Sequence, residues 1–248
     1  MKYKKISNNV VDERYVKEII TDYDALSQAS DECDVSKSNK EIQNIVIELK
    51  NTIRANSDMI GLSAPQIGYN KRLFCLNFNG DIKTFINPVI DSADLVKGQL
   101  TLSVEQCHSE PNRKFIRLRY DNISVIYQTP TGEIKTVRLL GMAAFAFQHH
   151  LDHLNGLLLS DVALEIDDDF YKLTEEERGE IIKMYLDSID MSATQLKEEI
   201  ESDNELSELY DAARFVESVR QGETIIEQMP MSDEEIEAIK KGDSSNGN

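Results

Sequence analysis

The chain has 248 residues, 40% of them hydrophobic, and a formal net charge of -18. That apolar fraction supports a core in one large domain, or in one domain plus an appendage, and no uninterrupted apolar run reaches the ~18 residues of a membrane span. Residues 1–164 hold 19 Lys+Arg and 20 Asp+Glu, so the remaining 165–248, with 8 and 25, carry almost all the negative charge. We therefore divide the chain into a domain over 1–164 and an acidic extension over 165–248. The extension repels nucleic acid and anionic membrane, which excludes both as partners. It reads first as a solvated acidic face, and second as a docking element for a basic protein partner.

The start, Met1-Lys2-Tyr3-Lys4-Lys5, leads into polar sequence and not into an apolar secretory segment. Residues 12–27 are predicted as an amphipathic helix with Val16, Ile19 and Ile20 on its stripe, and the Ser/Asp-rich 29–40 as a loop. From Glu41, the apolar positions Ile42, Ile45, Val46, Leu49 and Ile53 recur at helical spacing, and Gly61 closes that region. Strands are predicted at 73–77, 84–90, 115–118 and 123–128, then, after the turn Thr129-Pro130-Thr131-Gly132, at 133–140. Residues 141–155, Ala-rich and without proline, read as a buried helix. Thr174-Glu175-Glu176-Glu177 is a capping box opening a helix toward Ile189. Further helices are predicted at 196–200, at 206–219 and after Ser232, before a polar, disordered end. The segments predicted after residue 164 are helices only, an all-α extension. Three widely spaced cysteines, Cys33, Cys75 and Cys107, do not form a disulfide framework, which points to a reducing, cytoplasmic location.

All four histidines, His108, His149, His150 and His153, fall in two short segments. His149 and His153 are i and i+4 on the predicted helix, so they project from one face, one turn apart. That spacing suits two imidazoles on one cation. It also occurs in ordinary helices, but Ala/Phe-rich surroundings make uncoordinated rings costly to bury. A third protein ligand would leave one position open for water, and the Cys107 thiolate fits that demand.

Three segments in order carry a family resemblance. Gly61-Leu62-Ser63-Ala64-Pro65-Gln66-Ile67-Gly68 resembles the G-x-G-L-A-A-P-Q-I-G motif of peptide deformylases. Glu105-Gln106-Cys107-His108-Ser109-Glu110-Pro111 resembles their E-G-C-L-S-x-P motif. Gln148-His149-His150-Leu151-Asp152-His153-Leu154-Asn155-Gly156 resembles Q-H-E-x-D-H-L-x-G, and the whole resemblance spans residues 41–165. It implies an α+β fold, with mixed strands around a central metal-binding helix. It implies one divalent ion, Fe(II) or Zn(II), on Cys107, His149 and His153. It also implies hydrolysis of the formyl amide of formyl-methionyl peptides, with substrate contacts from Ile60 and Gly61. Gln66 and the backbone N–H of His108 would stabilise the oxyanion.

At one position the match fails. The family's general base and acid is a glutamate directly after the first helix histidine, and here that residue is His150. An imidazole can shuttle protons, but its protonated form is disfavoured beside a divalent cation. Gln106, His108, Glu110 and Met59 also depart from the motifs. Three readings follow: a deformylase with an unusual proton shuttle; a closed site with His150 as fourth ligand; or a binding or assembly protein acting through its acidic extension around a structural metal. The expectation is a deformylase-like metalloprotein with impaired or lost activity.

Overall fold

The computed structural model describes residues 11–35, 39–91 and 100–202. Its strands are β1 (Gly61–Ser63), β2 (Leu73–Phe78), β3 (Asp81–Ile90), β4 (Leu100–Cys107), β5 (Glu110–Tyr120), β6 (Asn122–Gln128), β7 (Ile134–Leu140) and β8 (Leu164–Ile166). Its helices are α1 (Tyr23–Leu26), α2 (Lys40–Ala55), α3 (Met142–Leu154), α4 (Leu159–Val162) and α5 (Glu175–Ser202). The strands form two antiparallel sheets, one ordered β1-β2-β3-β6-β7 and the other β4-β5-β8. Helix α3 touches β1, β2 and β7 of the first sheet and β5 of the second, which makes it the central element of the α+β fold.

Each core has a local cause. The stripe Ile42, Ile45, Val46, Leu49 and Ile53 is buried where α2 packs on β1 and β2. Asn39 caps that helix, its side chain accepting from the Glu41 and Ile42 N–H groups. A second core gathers Phe74, Phe85, Tyr120 and Ile123 of the strands around Ala143, Ala144 and Phe147 of α3. The small residues of α3 permit this close approach to the sheet. Its C-terminus turns at Gly156 (φ 73°), where a Cβ would meet the Ser27 carbonyl oxygen at 2.7 Å.

The expected helix over 12–27 is not there. The chain instead makes a 3-10 turn at Glu13–Tyr15, an extended stretch and the short α1. Two N–H groups of this segment bond to side chains of α2 rather than to its own carbonyls. Asp12 N–H donates to Asn51 Oδ1 (2.8 Å) and Lys17 N–H to Thr52 Oγ1 (2.9 Å). Ile20 N–H donates to the Gln66 carbonyl (2.9 Å), and the β-branched Val16, Ile19, Ile20 and Thr21 favour the extended form.

The five expected strands are present as β2, β3, β5, β6 and β7, and Gly132 (φ 81°) turns the last hairpin. Gly61 opens β1 rather than ending a helix, which stops at Ala55. Strands β4 and β8 were not expected. The Thr174–Glu177 capping box forms as predicted, with Thr174 N–H to Glu177 Oε2 (2.8 Å) and Glu177 N–H to Thr174 Oγ1 (3.3 Å). The helix it opens runs unbroken to Ser202, through the expected break before 196–200. The helices predicted at 206–219 and after Ser232 lie outside the described residues. The change in composition at residue 164 falls inside β8, which pairs with β5 at Lys114, Phe115 and Ile116. All three cysteines are free thiols, and no described helix is long and apolar enough to cross a membrane.

Candidate metal centre

Helix α3 is fixed to the second sheet by Gln148. Its side chain accepts from Tyr120 N–H (3.1 Å) and donates to the Tyr120 carbonyl (2.7 Å). One residue on, His149 and His153 lie one turn apart, their rings edge-on with centroids 5.1 Å from each other, near the end of β4. There Cys107 Sγ lies 3.2 Å from His153 Nε2. One donor atom each from Cys107, His149 and His153 falls within 4.8 Å of the others. This set fits a metal ion, and no other such group occurs among the described residues. His150 is not a member. Its ring packs against His149 (centroids 5.1 Å) and Phe74 (5.6 Å), and its nitrogens do not join the converging group.

The electrostatics of the three donors favour a cation. Burial opposes ionisation of the Cys107 thiol, but hydrogen bonds from His149 and His153 outweigh it and bring its pKa down to about 4. Burial likewise opposes charge on His149, but Cys107 and Glu105 raise its pKa to about 10. Without metal, a thiolate and an imidazolium therefore face each other. A divalent ion can take the place of that proton.

Behind the donors lies a charge relay that sequence reasoning did not anticipate. Glu105 Oε2 accepts from His149 Nδ1 (2.9 Å), which leaves Nε2 as the nitrogen that faces Cys107. Arg119, fully buried, forks onto the same carboxylate at 2.8 and 3.0 Å, and reaches Asp152 Oδ2 of α3 at 2.5 Å. Burial alone would raise the Glu105 pKa, but Arg119 and His149 hold it well below the usual carboxylate range.

Gln66 approaches from the other side. Its Oε1 accepts from Ser63 N–H (3.0 Å) and from Ser63 Oγ (2.9 Å). The backbone donor fixes the amide orientation, so Nε2 points at Ser109 Oγ (3.2 Å) and Cys107 Sγ (3.6 Å). His108 and Ser109 form the two-residue turn joining β4 to β5. The His108 ring is partly exposed, with Nε2 3.5 Å from Asp58 Oδ2. Glu110, which departs from the family motif, is buried and caps α4. It accepts from Leu159 N–H (2.9 Å) and Ser160 N–H (3.2 Å).

These groups surround one open cavity of about 730 Å³. Ile60, Gly61, Gln66, Cys107, His108, His149 and His150 all line it, so the structure brings every candidate residue to its wall except His153, which is buried behind Cys107. His150 is 5% exposed, and its Nδ1 has no hydrogen-bond partner. Burial first, then the charges of His149 and His153, hold this imidazole well below the ordinary histidine range.

The polypeptide deformylase family profile matches residues 16–168. The chain belongs to this family. The peptide deformylase of Dictyoglomus turgidum is 32% identical over 131 residues, covering 53% of this chain and 82% of its own. That of Symbiobacterium thermophilum is 31% identical over 154 residues, covering 60% and 68%. The crystal structure of a peptide deformylase from Synechococcus elongatus in complex with actinonin superposes with a TM-score of 0.52 at 27% identity, covering 66% of this chain and 84% of that one. The Thermotoga maritima peptide deformylase gives 0.52 at 28% identity, covering 60% and 96%. The family profile ends at residue 168, before α5 begins at Glu175.

Proposed function

We propose that this chain is a deformylase-fold metalloprotein that binds formyl-methionyl peptides at a divalent ion, and that its hydrolytic turnover is impaired or lost. The observation that carries both halves is the cluster itself. Cys107, His149 and His153 present three converging donors, while His150, on the cavity wall, stands at the sequence position where the family motif has its acid–base glutamate. A thiolate with two imidazoles suits Zn(II) or Fe(II). When bound, such an ion polarises the formyl carbonyl and makes water acidic.

The chain's own groups supply the rest. Glu105 holds the His149 tautomer. Gln66 Nε2, oriented by Ser63, donates to the developing oxyanion together with the His108 N–H. Ile60 and Gly61 flank the substrate at the free edge of β1. The proton is the weak point. His150 is a neutral, buried ring, and accepting a proton would place a cation beside two imidazoles and the metal. Loss of a positioned acid–base group costs about 10²–10⁴-fold in rate.

The test is to load the full chain with Zn(II), Fe(II) or Ni(II) and to follow both binding and hydrolysis of a formyl-methionyl peptide. Binding with slow or no turnover is expected. Absence of binding with every metal, or turnover as fast as in an active relative, would overturn the reading.

A further inference from the structure

The Glu105 carboxylate is held by one group besides Arg119 and His149. A carboxylate offers about four acceptor sites. Its Oε1 accepts from Arg119 Nε (2.8 Å) and from Ser103 Oγ (2.5 Å). Its Oε2 accepts from Arg119 Nη2 (3.0 Å) and from His149 Nδ1 (2.9 Å). Ser103 thus completes the set of donors, although it lies outside the three motif segments.

Strand geometry puts the hydroxyl there. Residues two apart on a strand share a face, so Ser103 follows Glu105 inward, while Leu102 and Val104 are exposed. Ser103 is buried, beside Glu105 on the wall of the cavity. A buried hydroxyl needs an acceptor. The Arg117 carbonyl lies 3.4 Å from Ser103 Oγ, much farther than the carboxylate. With one proton to give, the hydroxyl makes the shorter, charge-assisted bond. Without that bond, Oε1 would be solvated from the cavity, and the carboxylate would be freer to turn off His149.

We infer that Ser103 is a positioning residue for the metal centre: its hydroxyl holds the Glu105 carboxylate against His149 Nδ1, and so keeps His149 turned toward Cys107. The inference rests on the metal reading within the proposed function. It adds a step to the chain of contacts behind the donors, from Ser103 through Glu105 to His149.

The experiment compares the full chain with Ser103→Ala and Ser103→Thr, and repeats Ser103→Ala in a Glu105→Gln background. Zinc affinity is read by chelator competition. Solvent exchange of the His149 Nδ1 proton is read by NMR of the zinc-loaded chains. Ser103→Ala should weaken zinc binding about three- to tenfold, less than the roughly 10–100-fold effect of a group bonded directly to a ligand. Its His149 proton should exchange faster. Ser103→Thr, which keeps the hydroxyl, should retain both native properties. In the Glu105→Gln background, Ser103→Ala should change affinity by less than about twofold, because the two residues act through one contact. Unchanged affinity in Ser103→Ala, an equal loss in both backgrounds, or unaltered exchange of the His149 proton would each overturn the role of Ser103 and leave the proposed function standing. If the native chain binds no zinc, the role of Ser103 and the metal reading fall together.

Discussion

The His150 ring lies against the backbone of Gly61: a methyl group on Gly61 would come within 2.4 Å of His150 Nε2. The first motif and the third thus meet here, and the glycine is what makes room for an imidazole at this place. Replacing His150 by glutamate restores the carboxylate that the family resemblance implies. We expect His150→Glu to raise formyl-peptide turnover by about 10²–10⁴-fold, the usual contribution of a positioned acid–base group. An unchanged rate in a folded, metal-loaded variant would show that His150 is not what limits turnover.

The same contact makes a stability prediction. Gly61→Ala should destabilise the fold by about 1–3 kcal/mol, the usual cost of overpacking a filled core. The clash involves the His150 ring and, at 2.5 Å, the flexible end of Leu76. In a His150→Ala background the added methyl should therefore cost less, and urea unfolding of the four variants measures that coupling. An identical loss in both backgrounds would remove the ring as the obstacle.

The relay behind the metal donors should matter for both stability and metal affinity. Arg119→Met leaves Glu105 and Asp152 buried without their cation. Breaking a buried pair in this way costs about 3–5 kcal/mol, measurable by denaturant unfolding. Glu105→Gln, which weakens the orienting bond to His149, should lower zinc affinity about 10–100-fold in a chelator competition. Unaltered affinity would mean that the carboxylate does not position the ligand.

Arg119 also shows where sequence reading ran out. Strand β5 carries Arg113, Lys114, Arg117 and Arg119, a pattern that looks like a solvent face. Its burial is decided by Glu105 on β4 and Asp152 on α3, partners known only once the fold is known. Strand β4 was missed because its apolar residues do not mark a buried face: Leu102 and Val104 are exposed, whereas Ser103 is buried. The 12–27 segment failed for a related reason, since its N–H groups are claimed by α2. By contrast α3, the α2 stripe and the capping box at Thr174 were legible, because each is set by local spacing and local hydrogen bonds. The convergence of Cys107, His149 and His153 was legible for the same reason plus motif order. His150 could be placed beside them, but that its ring nitrogens do not join the converging donors required the fold.

The three thiols should differ sharply in reactivity. Burial pushes Cys33 up to about 11 and Cys75 up to about 11, so both are neutral near neutral pH. Cys107, lowered to about 4 despite its burial, is ionised there and lines the open cavity. The thiolate is the nucleophile, so in the metal-free chain iodoacetamide should alkylate Cys107 first and nearly alone. A bound metal ion occupies the same sulfur lone pairs, and prior loading with Zn(II) should suppress the reaction. Mass spectrometry of the labelled chain reads both effects. Labelling of Cys33 or Cys75 at a comparable rate would contradict the assigned ionisation, and labelling of Cys107 that persists under saturating zinc would remove it from the ligand set.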